Sequence, residues 1–210
     1  KFTAAALRAN SKEIDMLDMA TSAPNIKGIY INGEWQQTSR QFDDTNPNDG
    51  SLWARIPDAT CQDAHRAIDA AQAAFPAWAA LKFQDRANIM LKVAQIIEKR
   101  AGDYIPAAQF EGGGWYGKGV YETKVMPEML KAAAAVCYAP IGEVLPSLNG
   151  KVSNAVRFPM GVISVISPWN MPGILATRPF SVPMAMGNTI VLKPSEETPY
   201  QGGLFFAEVM

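Results

Sequence analysis

Two short, nearly continuous apolar segments lie in the last quarter of the chain, Gly161–Ile166 and Thr189–Leu192. Apolar runs of this length, bounded by glycine and proline, are typical of strands buried in a parallel sheet. Residues 172–187 between them are numerous enough to form the crossover that parallel strands require. We therefore predict a strand, a crossover and a second parallel strand, as in an α/β fold.

Upstream of these strands, apolar residues recur with helical spacing. One helix is expected after Asp58 or Thr60, either of which can cap it, and a second from about residue 85 to 100. Both are predicted to be amphipathic surface helices, and the alanine-rich run 126–138 to be a third, more buried helix. The apolar faces expected for the first two are Ala64, Ile68, Ala71 and Phe75, and Ile89, Val93 and Ile96.

Turn-forming residues divide the rest of the chain. Asn32-Gly33 lies between two β-prone stretches and predicts a hairpin with a type I′ turn, because both residues tolerate positive φ. The turn formers of residues 45–50 precede a predicted strand at Leu52–Ile56. Ile141–Phe158 predicts extended strands that project from the compact unit. The polar, alanine-rich first two dozen residues predict a helix or arm.

Polar side chains follow both apolar strands. Asn170 comes just after the first, and Lys193 and Glu196 come just after the second. The carboxyl ends of parallel strands meet at one edge of a sheet, where ligands bind. An Asn amide there can donate to charge developing on a carbonyl oxygen, and Lys with Glu can hold ribose hydroxyls. The alternative is that Asn170 is a turn residue and the other two are solvated.

Composition narrows the class of function. With 210 residues, 48% hydrophobic and 19% charged, the chain is expected to form one globular α/β domain or a domain with an appendage. A net charge of −1 provides no basic face for nucleic acid. No apolar run is long enough for a membrane span or a signal peptide, which predicts a cytoplasmic protein. Two cysteines and one histidine lack metal-ligand spacing, so no metal is expected.

Longer blocks carry a resemblance to a known family. Phe158–Ile163, Ile166–Pro172 and Gly187–Pro199, with the hairpin at Tyr30–Trp35, resemble the aldehyde dehydrogenase superfamily over most of the chain. The resemblance implies the Rossmann-like, parallel-sheet NAD-binding domain of that fold. It implies NAD-dependent oxidation of an aldehyde to its acid through a thioester in the full-length protein.

The resemblance also implies roles for individual residues. Asn170 matches the asparagine that helps form the oxyanion hole, and Lys193, Ser195 and Glu196 belong to the segment that holds the adenosine ribose. The stretch along the nicotinamide side of the cofactor is Ile166, Ser167, Pro168 and Trp169. A carboxylate against the ribose 2′-hydroxyl repels a 2′-phosphate, so NAD is expected, although some members of the family use NADP.

With respect to the substrate, the sequence resembles most closely the family members that act on aromatic aldehydes such as benzaldehyde, vanillin or salicylaldehyde. The pair Arg178-Pro179 carries this part of it. An aryl-sized pocket would then be lined by Trp115, Met171, Leu175 and Arg178. The alternative is that these side chains simply pack the core.

The resemblance divides the chain into three parts. Residues 1–140 match the amino-terminal part of the NAD-binding domain, 141–159 the oligomerisation strands and 160–210 the cofactor-binding segment. A homodimer or homotetramer is therefore expected of the full-length protein. The nucleophilic cysteine and general-base glutamate are expected outside these residues, so the chain alone is predicted to be inactive. The alternative function is a non-catalytic fragment or interaction module.

Overall fold

The computed structural model describes residues 24–210, so the helix or arm predicted at the start of the chain lies outside the described residues. The strands are β1 Ile29–Ile31, β2 Glu34–Gln36, β3 Gln41–Thr45, β4 Leu52–Pro57, β5 Gly142–Leu145, β6 Ser153–Val156, β7 Val162–Ile166 and β8 Thr189–Lys193. The helices are α1 Cys61–Ala80, α2 Phe83–Lys99, α3 Ala101–Phe110, α4 Tyr116–Val136, α5 Pro172–Ala185 and α6 Phe205–Val209. A π-helical turn, Tyr200–Leu204, leads into α6.

The centre of the fold is the parallel pair β7 and β8, joined by the crossover helix α5. The register runs from Val162 opposite Thr189 to Ile166 opposite Lys193. Helices α1 and α5 both pack against the two strands, and Thr189 Oγ1 in β8 donates to Ala71 O in α1 at 2.9 Å. The predicted unit of two parallel strands and a crossover is confirmed.

Three antiparallel pairs surround this centre. In the pair of β1 and β2, the turn residues have φ angles of 54° at Asn32 and 81° at Gly33, as the predicted hairpin turn requires. The strand β3 was not predicted, because its sequence is mostly polar; it pairs with β4, placing Phe42 opposite Ile56. The strands β5 and β6 lie where extended strands were predicted, and they pair with each other as an antiparallel hairpin.

One of the two predicted capping residues caps helix α1, but the face that packs against the rest of the fold differs in part from the prediction. Thr60 is the cap, and a capping box joins it to Asp63. The predicted face was wrong at Ala64 and at Ile68, which is 44% exposed. The partly buried apolar positions are Ala67, Ala70, Ala71, Phe75, Trp78 and Ala79. Small alanines let the helix backbone lie close to its neighbours, so the larger Ile68 is turned outward.

Helix α2 is an amphipathic surface helix, as predicted, but its buried face is only partly the predicted one. Its buried residues are Ala87, Met90, Val93, Ala94 and Ile97, whereas Ile89 is 39% exposed. This face packs chiefly against α4, which in turn packs against α5. Helices α2, α4 and α5 therefore pack against one another, and α2 contributes to the main core.

Helix α4 begins at Tyr116 rather than at the predicted residue 126, so Gly117 and Gly119 lie within it. A Cβ at Gly119 would come within 3.1 Å of Ile105 Cα in α3. This glycine therefore permits close packing of two helices. Among residues 24–210, no helix has both the length and the apolar content needed to cross a membrane.

Candidate functional site

The carboxyl ends of β7 and β8 form one edge of the sheet, where the residues singled out in the sequence come together. Ile166 and Lys193 are register partners at the two strand ends. The Ser167 amide extends the pairing by donating to Lys193 O at 3.1 Å. A short loop, Pro168–Met171, then carries Asn170 to the start of α5, and Glu196 follows β8.

This edge presents both apolar and polar groups to solvent. Ile166 is 74% exposed and Trp169 is 60% exposed, and the neighbouring Pro168 and Asn170 are exposed as well. Ser167 is buried, and its Oγ has no hydrogen-bond partner among the described residues. An open apolar face beside an unsatisfied hydroxyl and a free amide can accept a flat ring that carries polar substituents.

Lys193 and Glu196 form the polar part of the edge. Lys193 Nζ lies 3.7 Å from Glu196 Oε2, and the two side chains are 64% and 75% exposed. Lys193 Nζ also donates to Pro194 O at 3.0 Å, and Ser195 Oγ accepts from the Glu197 amide at 3.3 Å. Because an exposed ion pair of this kind contributes little stability, both side chains are free to turn toward a ligand.

A buried carboxylate lies behind the Asn170 loop, and the sequence analysis missed it. Glu122 in α4 is fully buried, and its Oε2 accepts from the amides of Gly173 at 2.8 Å and Ile174 at 3.3 Å. The Tyr104 hydroxyl donates to the same oxygen at 2.9 Å, and Lys118 Nζ lies 3.8 Å from Oε1. Burial raises the pKa of Glu122.

A second buried carboxylate lies behind the segment that follows Lys193 and Glu196. Glu111 caps the end of α3, and its two oxygens accept from the amides of Tyr200 at 2.6 Å and Gln201 at 2.9 Å. Burial raises the pKa of Glu111 well above its ordinary value, and raises the pKa of Asp44 to about 6. The buried Asp44 is a neighbour of Glu111, and its charge is a second cause that raises the pKa of Glu111.

The opposite end of α5 is held as firmly. Arg86 Nε donates to Ala185 O at 2.8 Å, and Trp78 Nε1 donates to Met184 O at 3.0 Å. Asn188, part of one of the family-like blocks, accepts the amides of Met160 at 2.7 Å and Gly161 at 3.1 Å. These bonds fix both strands against the helix at the edge opposite Asn170.

The four residues proposed for an aryl pocket come from two places. Met171, Leu175 and Arg178 follow one another at helical spacing from the Asn170 loop along α5; the first two are partly buried and Arg178 is exposed. Trp115 precedes α4, is 76% exposed, and has its ring over Gly117. The first three thus lie on one element with Asn170, and Trp115 lies on another.

Neither cysteine lies at this edge. Cys61 is the first residue of α1. Cys137 is buried, and its Sγ lies 3.3 Å from Ala185 O, at the end of α5 farthest from Asn170. A helix of 14 residues is about 20 Å long at 1.5 Å per residue, which separates this thiol from the Asn170 loop.

Residues 35–210 match the aldehyde dehydrogenase family. A vanillin dehydrogenase of Pseudomonas fluorescens is 44% identical over 163 residues, which are 76% of this chain and 33% of that protein. Malonate-semialdehyde dehydrogenase 2 of Oceanobacillus iheyensis is 34% identical over 182 residues, covering 85% of this chain and 37% of that protein. The chain therefore spans about a third of the length of these curated relatives.

Among solved structures, an NAD-dependent benzaldehyde dehydrogenase from Corynebacterium glutamicum has a similar fold. The TM-score is 0.82 at 30% sequence identity, and the likeness covers 88% of this chain and 42% of that one. The α/β fold class predicted from the sequence is confirmed by this likeness.

Proposed function

Because the chain belongs to the aldehyde dehydrogenase family, we propose that the natural protein containing it oxidises an aldehyde to the carboxylic acid, with NAD or NADP as the hydride acceptor. One observation supports this most directly. Asn170 and the pair Lys193 and Glu196 lie at the same carboxyl edge of two parallel strands, where open α/β sheets bind their ligands.

Asn170 would stabilise the charge that develops on the aldehyde oxygen. When a thiolate adds to the carbonyl carbon, the carbon–oxygen π electrons move to the oxygen, which becomes an alkoxide. The Asn170 amide group has N–H donors for that oxygen. The thiolate that forms the thioester and the base that activates water for its hydrolysis are not assigned to Cys61, Cys137 or any other residue of this chain.

The edge fits a nicotinamide cofactor. The exposed apolar surface of Ile166 and Trp169, together with Ser167 and Pro168, would lie along the nicotinamide. Lys193 and Glu196, with Ser195 between them, would hold the adenosine ribose. When bound, the cofactor supplies an acceptor for the hydride. We propose NAD rather than NADP, because the Glu196 carboxylate would repel a 2′-phosphate.

We propose an aromatic aldehyde as the substrate. The vanillin dehydrogenase and the benzaldehyde dehydrogenase described above act on such aldehydes, and Met171, Leu175 and Arg178 extend from Asn170 along α5, as one wall of an aryl pocket would. Trp115 would form a second wall. A small semialdehyde is the alternative, since the malonate-semialdehyde dehydrogenase is also similar.

We propose that the protein assembles as a homodimer or homotetramer through the hairpin of β5 and β6. Three apolar side chains are each 79% exposed, which is unusual for residues that remain in water: Val144 in β5, Val152 in the loop between the strands and Phe158 just after β6. A cytoplasmic location belongs to the same proposal, because the reducing cytoplasm keeps an exposed thiol such as Cys61 from pairing.

Replacement of Asn170 by alanine tests the proposed activity. In the natural protein, reduction of NAD or NADP is followed at 340 nm with vanillin, benzaldehyde and malonate semialdehyde. N170A is expected to lower kcat by about 10²- to 10³-fold, the usual loss for an oxyanion donor. The matched control is N88A, which removes an exposed asparagine of α2 and should leave kcat unchanged.

The result that would overturn the proposal is an unmodified protein, folded and with NAD or NADP present, that oxidises none of the three aldehydes. That outcome would favour the non-catalytic interpretation. Equal activity in N170A and N88A would remove Asn170 from the mechanism and leave the family assignment intact.

A further inference from the structure

We propose that Glu122 is a positioning residue: by capping the N-terminus of α5, it holds the Pro168–Met171 loop, and with it Asn170, in the orientation that the reaction needs. The inference rests on the proposed function, because it assigns Glu122 a part in the same site. The inference adds a residue of helix α4 to the site. Glu122 lies 51 positions before Gly173, whose amide it binds.

The start of α5 has few other means of support. Its first residue, Pro172, has no N–H, and the residue before it, Met171, makes no side-chain cap. The next two amides, those of Gly173 and Ile174, are the donors that a helix N-terminus leaves unsatisfied. Glu122 Oε2 accepts both of them. A buried carboxylate is thus the cap of this helix.

The Asn170 loop depends on its two ends. On one side, the Ser167 amide bonds to Lys193 O at 3.1 Å. On the other side, Glu122 caps the amide of Gly173, which lies three residues beyond Asn170. Within residues 24–210 the Asn170 side chain makes no hydrogen bond of its own, and it is exposed. A displacement at Gly173 therefore passes directly to Asn170.

Helix α5 can approach Glu122 closely because Gly173 has no side chain. A Cβ at Gly173 would overlap the Tyr104 hydroxyl and come within 2.6 Å of Met126 Sδ, so only glycine fits there. Tyr104 of α3 donates to the same oxygen as the two amides, which adds a third bond to the carboxylate. Lys118 and the partial positive charge of the helix N-terminus offset the cost of burying the carboxylate.

Two substitutions of similar volume separate the cap from the bulk of the side chain. E122M removes the acceptor, whereas E122Q keeps one oxygen that can accept the Gly173 and Ile174 amides. In the natural protein with NAD and the best aldehyde, E122M is expected to lower kcat by about 10- to 100-fold, as for a misplaced catalytic group. E122Q is expected to recover most of that loss.

A double-mutant cycle with N170A shows whether Glu122 acts through Asn170. If it does, E122M has little further effect on kcat once Asn170 is absent. T123V is the matched control, because it removes a buried hydrogen bond of the neighbouring residue in α4 and leaves Glu122 and both α5 amides bonded; its kcat should stay close to that of the parent protein. An E122M loss that is undiminished in the N170A background would overturn the proposal, as would an unchanged kcat in folded E122M.

Amide hydrogen exchange tests Glu122 independently of activity. In E122M the amides of Gly173 and Ile174 and the loop before them are expected to exchange at least about tenfold faster, while β8 is unchanged. If the parent protein oxidised no aldehyde, the proposed function would fail, and this measurement alone would decide the role of Glu122. Unchanged protection at residues 168–174 in E122M would then overturn it.

Discussion

Two buried acids, Glu111 and Glu122, support the two segments that carry the candidate ligand-binding residues, and a third buried acid, Asp44, is a neighbour of Glu111. Glu122 holds the amides that follow Asn170, and Glu111 holds those of Tyr200 and Gln201, which follow Glu196. Glu111 and Glu122 accept bonds from backbone N–H groups that would otherwise be unsatisfied in the interior. At the residue scale, the exposed residues of the site depend on acids that never contact solvent.

Asp44 gives this arrangement a measurable pH dependence. Its ordinary pKa is 3.8, and burial raises the pKa in the folded protein to about 6. Between these values the folded protein holds a proton that the unfolded chain has released. The free energy of unfolding therefore falls as the pH rises from about 4 to 6, by about 2 kcal/mol for this group, and is constant above that range.

The substitution D44N removes this titration. Relative to the parent protein, the free energy of unfolding of D44N is expected to rise by about 2 kcal/mol between pH 4 and pH 7. Urea unfolding at several pH values measures the difference. D43N, which changes the exposed neighbouring residue of β3, should show no such trend. Parallel pH profiles for D44N and the parent protein would contradict the prediction.

At the scale of elements, α5 is the helix on which the site depends. Its N-terminus receives Glu122, and its C-terminus receives Arg86 and Trp78. Anionic groups at the start of a helix and cationic groups at its end are favoured by the helix dipole. The helix is thus fixed at both ends, and it holds the loop of Asn170 at one of them.

Substitution of glycine by alanine at two positions measures how tightly α5 is packed. G173A places a methyl group against Tyr104 and Met126 and is expected to destabilise the protein by about 1–3 kcal/mol. G102A, in α3, adds the same methyl group where nothing lies within 4 Å, and it should be neutral or stabilising by about 0.5–1 kcal/mol. Thermal unfolding followed by circular dichroism compares them; equal melting temperatures would show that the helix start can shift.

The sequence predicted elements better than it predicted their faces. The parallel strands, the crossover, the first hairpin and the capping residue Thr60 follow from local patterns, and the structure agrees with them. The predicted inward faces of α1 and α2 were right at Ala71, Phe75, Val93 and Ile96, and wrong at Ala64, Ile68 and Ile89, which are exposed. The periodicity did not single out the alanine, methionine and tryptophan residues that make many of the other contacts. The start of α4 was missed because its glycines are typical of loops.

At the scale of the whole molecule, the family match confirms the resemblance drawn from the sequence blocks. The largest features of the described structure are the packed helices α2, α4 and α5 and the hairpin of β5 and β6. The helices α5, α4 and α2 bury their apolar faces against one another, whereas the hairpin of β5 and β6 leaves its apolar residues exposed. Exposed apolar surface of this kind marks an interaction site. The proposed self-association places the hairpin in contact with a second copy.

V144E tests that association. Val144 is 79% exposed, so a charge there should leave the folded chain intact but oppose burial in an interface. The molar mass measured by size-exclusion chromatography with light scattering is expected to fall from that of a dimer or tetramer toward that of smaller species. L52E, on the exposed side of β4, is the control and should keep the parent mass. An unchanged molar mass in V144E would show that the hairpin is not the surface through which the protein associates with itself.

The sequence alone determined the family, the fold class and the position of Asn170, Lys193 and Glu196 after strands that proved to be neighbours. Each of these follows from residues close together in the chain, where periodicity and motif spacing carry information. Only the tertiary structure revealed the acids behind the site, because Glu122 and Glu111 bind amides 51 and 89 residues away. A glutamate in a helix shows in its sequence neither that it is buried nor which helix end it caps, since both are set by how distant elements pack.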